Sequence, residues 1–135
     1  MSELRVGIIG LGFMGKTHLA AYEVTPGCVV RGIADVAIDA ALSTSTGNLL
    51  TGGSGFDWAR FKRYAAPEEM LHDSEVDAVS ICTPTDTHVE LAITALRAGK
   101  HVLVEKPVAL RADDVRRVAK AAQEADRVCM PAMAM

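Results

Sequence analysis

Two groups of residues in this sequence are spaced so that they could do chemistry. The first is Gly10-Leu11-Gly12-Phe13-Met14-Gly15, a G-x-G-x-x-G run placed directly after an apolar strand pattern. In that setting the first glycine allows a tight turn, the second lets the backbone approach a pyrophosphate, and the third permits close packing of helix on strand. N–H groups and the dipole at a helix start favour the same anion. Asp35 follows Gly15 by 20 residues and closes a second apolar run. A carboxylate there can accept hydrogen bonds from ribose hydroxyls or cap a helix, and the two roles are compatible. It also repels a 2′-phosphate, and no arginine follows it, so the pattern predicts NAD in preference to NADP.

The second group is Glu105-Lys106-Pro107, at the end of the apolar run His101–Val104. In an open parallel sheet, ligands bind beyond the carboxyl ends of the strands. Glu105 and Lys106 are therefore expected on the rim that also holds the glycine turn and Thr83-Pro84, with an exposed ion pair as the alternative. Pro107 fixes the backbone after Lys106.

The elements needed to position these groups alternate along the chain in the manner of a parallel sheet covered by crossover helices. Strands are expected at Val6–Ile9, Val29–Ala34, Val76–Cys82 and Val102–Val104, with a short edge strand at Phe61–Ala65 and a terminal extended segment at Val128–Met135. Helices are expected from Gly15 to Tyr22, Val36 to Leu42, Pro67 to Leu71, His88 to Gly99 and Ala112 to Ala125. Thr87 and Glu90 have capping-box spacing. Val115, Val118, Ala119 and Ala122 form the apolar stripe of the last helix. Ser43–Gly55, polar and glycine-rich, reads as a surface loop. His18 is expected to pack, and His72 and His101 to be structural. The fold class is a doubly wound, mainly parallel α/β sheet with helices on both faces, formed by one domain over residues 1–135.

Composition agrees with one globular domain. The chain has 135 residues, 50% hydrophobic and 23% charged, with a net charge of -3. No basic cluster suggests a nucleic-acid or anionic-membrane partner. No apolar run approaches the roughly 20 residues that span a bilayer, and the amino end does not read as a signal peptide. Cys28, Cys82 and Cys129 are odd in number and widely separated, which predicts neither a disulfide framework nor a metal site and fits a cytoplasmic protein.

Taken together, G-L-G-F-M-G-K-T-H, Asp35, I-C-T-P-T-D-T-H-V-E-L-A and A-L-R-A-G-K-H-V-L-V-E-K-P-V-A resemble the amino-terminal domain of the glucose-fructose oxidoreductase / inositol dehydrogenase / MocA family. The resemblance covers nearly the whole chain. It implies an NAD(P)-binding Rossmann domain of an oxidoreductase that transfers a hydride to or from a sugar, polyol or related alcohol or ketone. By the same resemblance Gly10 to Gly15, with Phe13 and Met14, hold the pyrophosphate and Asp35 the adenine ribose. Thr83, Pro84 and His88 lie near the nicotinamide ribose, while Glu105 and Lys106 approach the nicotinamide. Lys106 is the candidate catalytic residue, its ammonium stabilising negative charge on a substrate oxygen. Family members usually carry a second α/β domain with further acid and base groups, so this chain is expected to be part of a longer oxidoreductase and inactive alone. A non-catalytic dinucleotide-binding module is the alternative. Met130, Met133 and Met135 near an uncovered edge predict self-association as a homo-oligomer.

Overall fold

The computed structural model describes residues 2–43 and 55–133. Along them run β1 (Leu4–Ile9), α1 (Phe13–Glu23), β2 (Cys28–Ala34), α2 (Ile38–Ser43), β3 (Lys62–Tyr64), α3 (Pro67–Leu71), β4 (Ala78–Ile81), α4 (His88–Arg97), β5 (His101–Glu105), α5 (Ala112–Ala125) and β6 (Cys129–Ala132). Short 3-10 turns occupy Trp58–Arg60 and Thr85–Thr87. Most of the stretch expected to be a surface loop, Ser43–Gly55, lies outside the described residues, as does Met135.

The six strands form one sheet in the order β3-β2-β1-β4-β5-β6, and every neighbouring pair is parallel. Strand order reverses between β1 and β4. Val6 to Ile9 are all buried because both faces of β1 are covered. Side chains alternate between two cores: Val6, Ile8 and Ile33 pack with Leu19 and Phe61 on one face, whereas Ile9, Val79 and Ile81 pack with Met70, Ala92 and Leu96 on the other.

Four expectations are corrected by the structure. First, α1 begins at Phe13, two residues before Gly15, because Gly12 is its extended N-cap and accepts the first helical hydrogen bond from Lys16 N at 3.1 Å. Second, Thr87 and Glu90 form no capping box. Thr87 is itself helical, since the 3-10 turn runs straight into α4; its hydroxyl donates to Pro84 O at 2.6 Å, and Glu90 pairs with Arg117 at 2.8 Å. Third, the stripe of α5 is rotated. Val118 and Ala121 are buried with Ala122 and Ala125 against the same core, while Val115 is 43% exposed and Ala119 is exposed, because the face turned to the core runs through positions 118, 121, 122 and 125. The fourth strand is also shorter than Val76–Cys82: Val76 is buried but precedes the ladder.

The amino ends of the strands are tied by charge. Arg5 grips both oxygens of Asp77 (Nε to Oδ2 2.9 Å, Nη2 to Oδ1 2.8 Å) and reaches Glu75 at 2.9 Å. The Arg5 hydrogen bonds pull the Asp77 carboxyl down to about 2. Asp73 accepts from Lys62 and Tyr64, which hold its carboxyl well below the usual range. Lys100, 7% exposed, donates to Asp73 O at 2.8 Å and Val76 O at 2.6 Å. Burial lowers its pKa, and the two carbonyls satisfy the ammonium there.

Candidate functional site

At the opposite, carboxyl edge, the reversal between β1 and β4 opens a crevice of about 970 Å3. Its floor is the turn from β1 into α1. Gly10 has φ +91°, a left-handed conformation that a side chain would strain, and a Cβ there would meet Cys82 O at 2.7 Å. Its N–H donates to Ala34 O at 2.8 Å, fixing the turn across β2. Gly15 lies beneath, where a Cβ would overlap Gly10 O, so only glycine lets α1 come this close. Gly12 differs: a Cβ on it would meet nothing within 4 Å, and it lines the crevice. The first N–H groups of an α-helix have no intrahelical acceptor. In α1 no acidic residue occupies the first turn and no side chain caps it, leaving a setting suited to an anion.

Phe13 and Met14, both exposed, line the same crevice with Asp35, Val36, Pro67, Thr83, Pro84 and Leu91. Asp35 Oδ2 accepts from Leu11 N and Oδ1 from Ala37 N, each at 2.8 Å. The carboxylate thus locks the glycine turn to the end of β2, and each oxygen retains acceptor capacity for a ligand hydroxyl. On the far wall, Thr87 donates to Pro84 O, so the hydrogen between the Thr83 and Thr87 hydroxyls, 2.6 Å apart, comes from Thr83.

The remaining predicted residues are placed differently. Gly15 supports the floor from below. His88 is buried at 1% exposure, with Nδ1 2.8 Å from Pro107 O and Nε2 2.8 Å from Thr83 O; it joins the segment after β4 to the segment after β5 and does not line the crevice. Glu105 is turned toward the sheet, 2.8 Å from His18 Nε2. Lys106 is exposed, and its peptide bond to Pro107 is cis. The packing expected of His18 is replaced by a polar contact. His18 lies three residues beyond Gly15, and positions i and i+3 share a helix face, so its approach to the sheet was legible from spacing. Its partner Glu105, 87 residues away, was not. Cys82, also in the crevice wall, has its thiol pushed up to about 12 by burial and by the Glu105 carboxylate, which keeps it protonated and unreactive.

Residues 4–133 match the family model described as "Oxidoreductase family, NAD-binding Rossmann fold". The myo-inositol 2-dehydrogenase of Thermotoga maritima is 36% identical over 123 residues, which cover 91% of this chain and 34% of that protein. A glycosyl hydrolase family 109 protein of Streptomyces niveus is 35% identical over 129 residues, 96% of this chain and 26% of that protein. The solved structure of an NAD-binding protein from Listeria innocua superimposes with a TM-score of 0.82 at 31% identity, covering 97% of this chain and 35% of that one. The chain therefore spans about a third or less of the length of these relatives. With its strand order, its glycine turn and this match over almost its entire length, the chain belongs to the glucose-fructose oxidoreductase / inositol dehydrogenase / MocA family of oxidoreductases and is their NAD-binding Rossmann domain.

Proposed function

We propose that this domain binds NAD in preference to NADP across the carboxyl edge of its sheet, and that the whole protein transfers a hydride between that cofactor and a sugar or polyol. The observation that carries the first part is the contrast among the three glycines. Two are held tightly by neighbouring backbone, while the middle one presents an unobstructed face to the crevice. The N–H groups of the α1 first turn would hold the diphosphate and Asp35 the adenine ribose, with Phe13, Met14, Thr83 and Pro84 forming the walls. Asp35 also supports the NAD preference, because a second negative charge on the ribose would face a fixed carboxylate.

When bound, the nicotinamide supplies the hydride acceptor or donor. Lys106, exposed just beyond β5, would stabilise negative charge on the substrate oxygen, which a proton acceptor elsewhere in the whole protein would complement. The polyol or sugar assignment rests on the inositol dehydrogenase among the relatives. Titration calorimetry with NAD and NADP tests the cofactor assignment: tighter binding of NAD is expected, and no heat or thermal stabilisation with either would overturn it. A cytoplasmic location accompanies the proposal, supported by three unpaired cysteines. Self-association does too, supported by Met130 and Met133 exposed at the β6 edge, and a clean monomer by analytical ultracentrifugation would count against it.

A further inference from the structure

A line of polar side chains crosses the buried sheet from α1 to the segment that carries Lys106. Tyr22 OH lies 2.8 Å from Ser80 Oγ, Ser80 Oγ 3.2 Å from His18 Nδ1, and His18 Nε2 2.8 Å from Glu105 Oε1. Glu105 Oε2 in turn accepts the Lys106 backbone N–H at 3.2 Å. Ser80 is fully buried, and the side chains of His18 and Glu105 are 10% and 12% exposed.

One proton arrangement satisfies every group on this line: Tyr22 donates to Ser80, Ser80 to Nδ1, Nε2–H to Glu105, and the second Glu105 oxygen receives the Lys106 amide. Burial raises the pKa of the Tyr22 phenol, which keeps it a donor at the head of the line. Each group would lose a partner if its neighbour were removed, and a buried polar group without a partner is costly.

The line begins on a special helix. The amino end of α1 forms the floor of the crevice at Gly12 to Met14, and its next turn carries His18. One helix therefore touches both the glycine turn and the tip of β5 that precedes Lys106.

We infer that His18 is a positioning residue for Lys106: by holding the Glu105 carboxylate it fixes the Lys106 backbone relative to the glycine turn. This rests on the proposed role of Lys106. His18 itself is not among the residues that line the crevice.

The test uses the whole protein with two readouts. One, needing no substrate, is hydrogen exchange of the Lys106 amide, followed by NMR on 15N-lysine-labelled protein. The other is turnover with NAD and myo-inositol as the probe substrate. His18→Leu should speed exchange at Lys106 by about tenfold or more, the amide having lost a held acceptor. NAD affinity should stay within about threefold, a difference well under 1.4 kcal/mol. His18→Gln, whose amide can donate to Glu105, should restore most of the protection. Glu105→Met removes the other end of the contact without stranding a buried carboxylate, and should reproduce the His18→Leu pattern if that variant fails to fold. Turnover should fall by roughly tenfold to a hundredfold in His18→Leu. In a Lys106→Ala background the same change should cost nothing more, because a residue acting through Lys106 has no other route. Lys106 exchange unaltered in folded His18→Leu or Glu105→Met, or additive losses of turnover, would overturn the inference and leave the cofactor assignment standing. Failure of the parent protein to bind NAD would overturn the cofactor assignment instead, whatever the exchange at Lys106.

Discussion

Replacing Gly12 and Gly15 one at a time separates folding from binding. A Cβ on Gly15 would overlap Gly10 O and stand 2.8 Å from Gly10 C, backbone atoms that cannot rotate away. Overpacking of this kind typically costs about 1–3 kcal/mol. In a domain of this size the melting temperature should fall by on the order of 10 °C, from roughly 3–6 °C per kcal/mol. Gly12 has φ -72° and open space around the added methyl, so Gly12→Ala creates neither strain nor clash. Its stability should stay within about 1 kcal/mol of the parent, because alanine restricts the unfolded chain but is a poorer N-cap for α1 than glycine. The same methyl would stand where the diphosphate must approach, and NAD affinity should drop by about tenfold or more, equivalent to about 1.4 kcal/mol. Thermal melts and calorimetry with NAD on both variants read the two effects separately. Gly12→Ala binding NAD as tightly as the parent would refute the diphosphate cradle, and Gly15→Ala melting at the parental temperature would refute the enforced contact between helix and turn.

Asp35→Ser should weaken NAD more than NADP in paired titrations, and equal losses would remove Asp35 from the ribose. In the whole protein, Lys106→Ala should lower turnover far more than cofactor affinity; an unaltered rate would return Lys106 to a surface role. The fold should weaken in acid. Because the folded Asp77 carboxyl sits at about 2, below the ordinary value of about 3.9, its contribution is complete above pH ~4 and disappears as pH falls toward 2. Melting temperatures recorded between pH 6 and pH 2 should show that decline, and Asp77→Asn should flatten it; an identical slope in both proteins would discard Asp77 as a source.

The sheet was legible because its signals are local. Apolar β-branched runs such as Val6–Ile9 identify strands whatever surrounds them, and a glycine turn after the first of them places the crevice. Asp35 was legible as a residue at the β2 tip; its local role is the tie to Leu11 and Ala37 and not the cap of α2, whose first helical bond is accepted by Ala37 O. Errors arose where contacts outside the pattern itself decide. Thr87 has the composition and spacing of a cap, but it closes a 3-10 turn and its hydroxyl donates to Pro84 O. Val115 fits the period of α5, yet periodicity cannot show how far around a helix its neighbours extend. His88 and Glu105 carry motif signals and both lie near the crevice, but tertiary contacts turn their side chains inward, His88 between two loop carbonyls and Glu105 onto His18.

The rim made by the ion pairs Arg5–Asp77 and Lys62–Asp73, with the Lys100 ammonium on two backbone carbonyls beside them, lies at the end of the strands away from the ligand crevice. The domain thus has a welded pole and a working pole. Mutation can remodel the mouth, changing which molecule is held and how its reacting atoms are aimed, while the clasps that keep the strands in register stay untouched. Such a partition lets one scaffold be adapted to new chemistry without being rebuilt from its foundations.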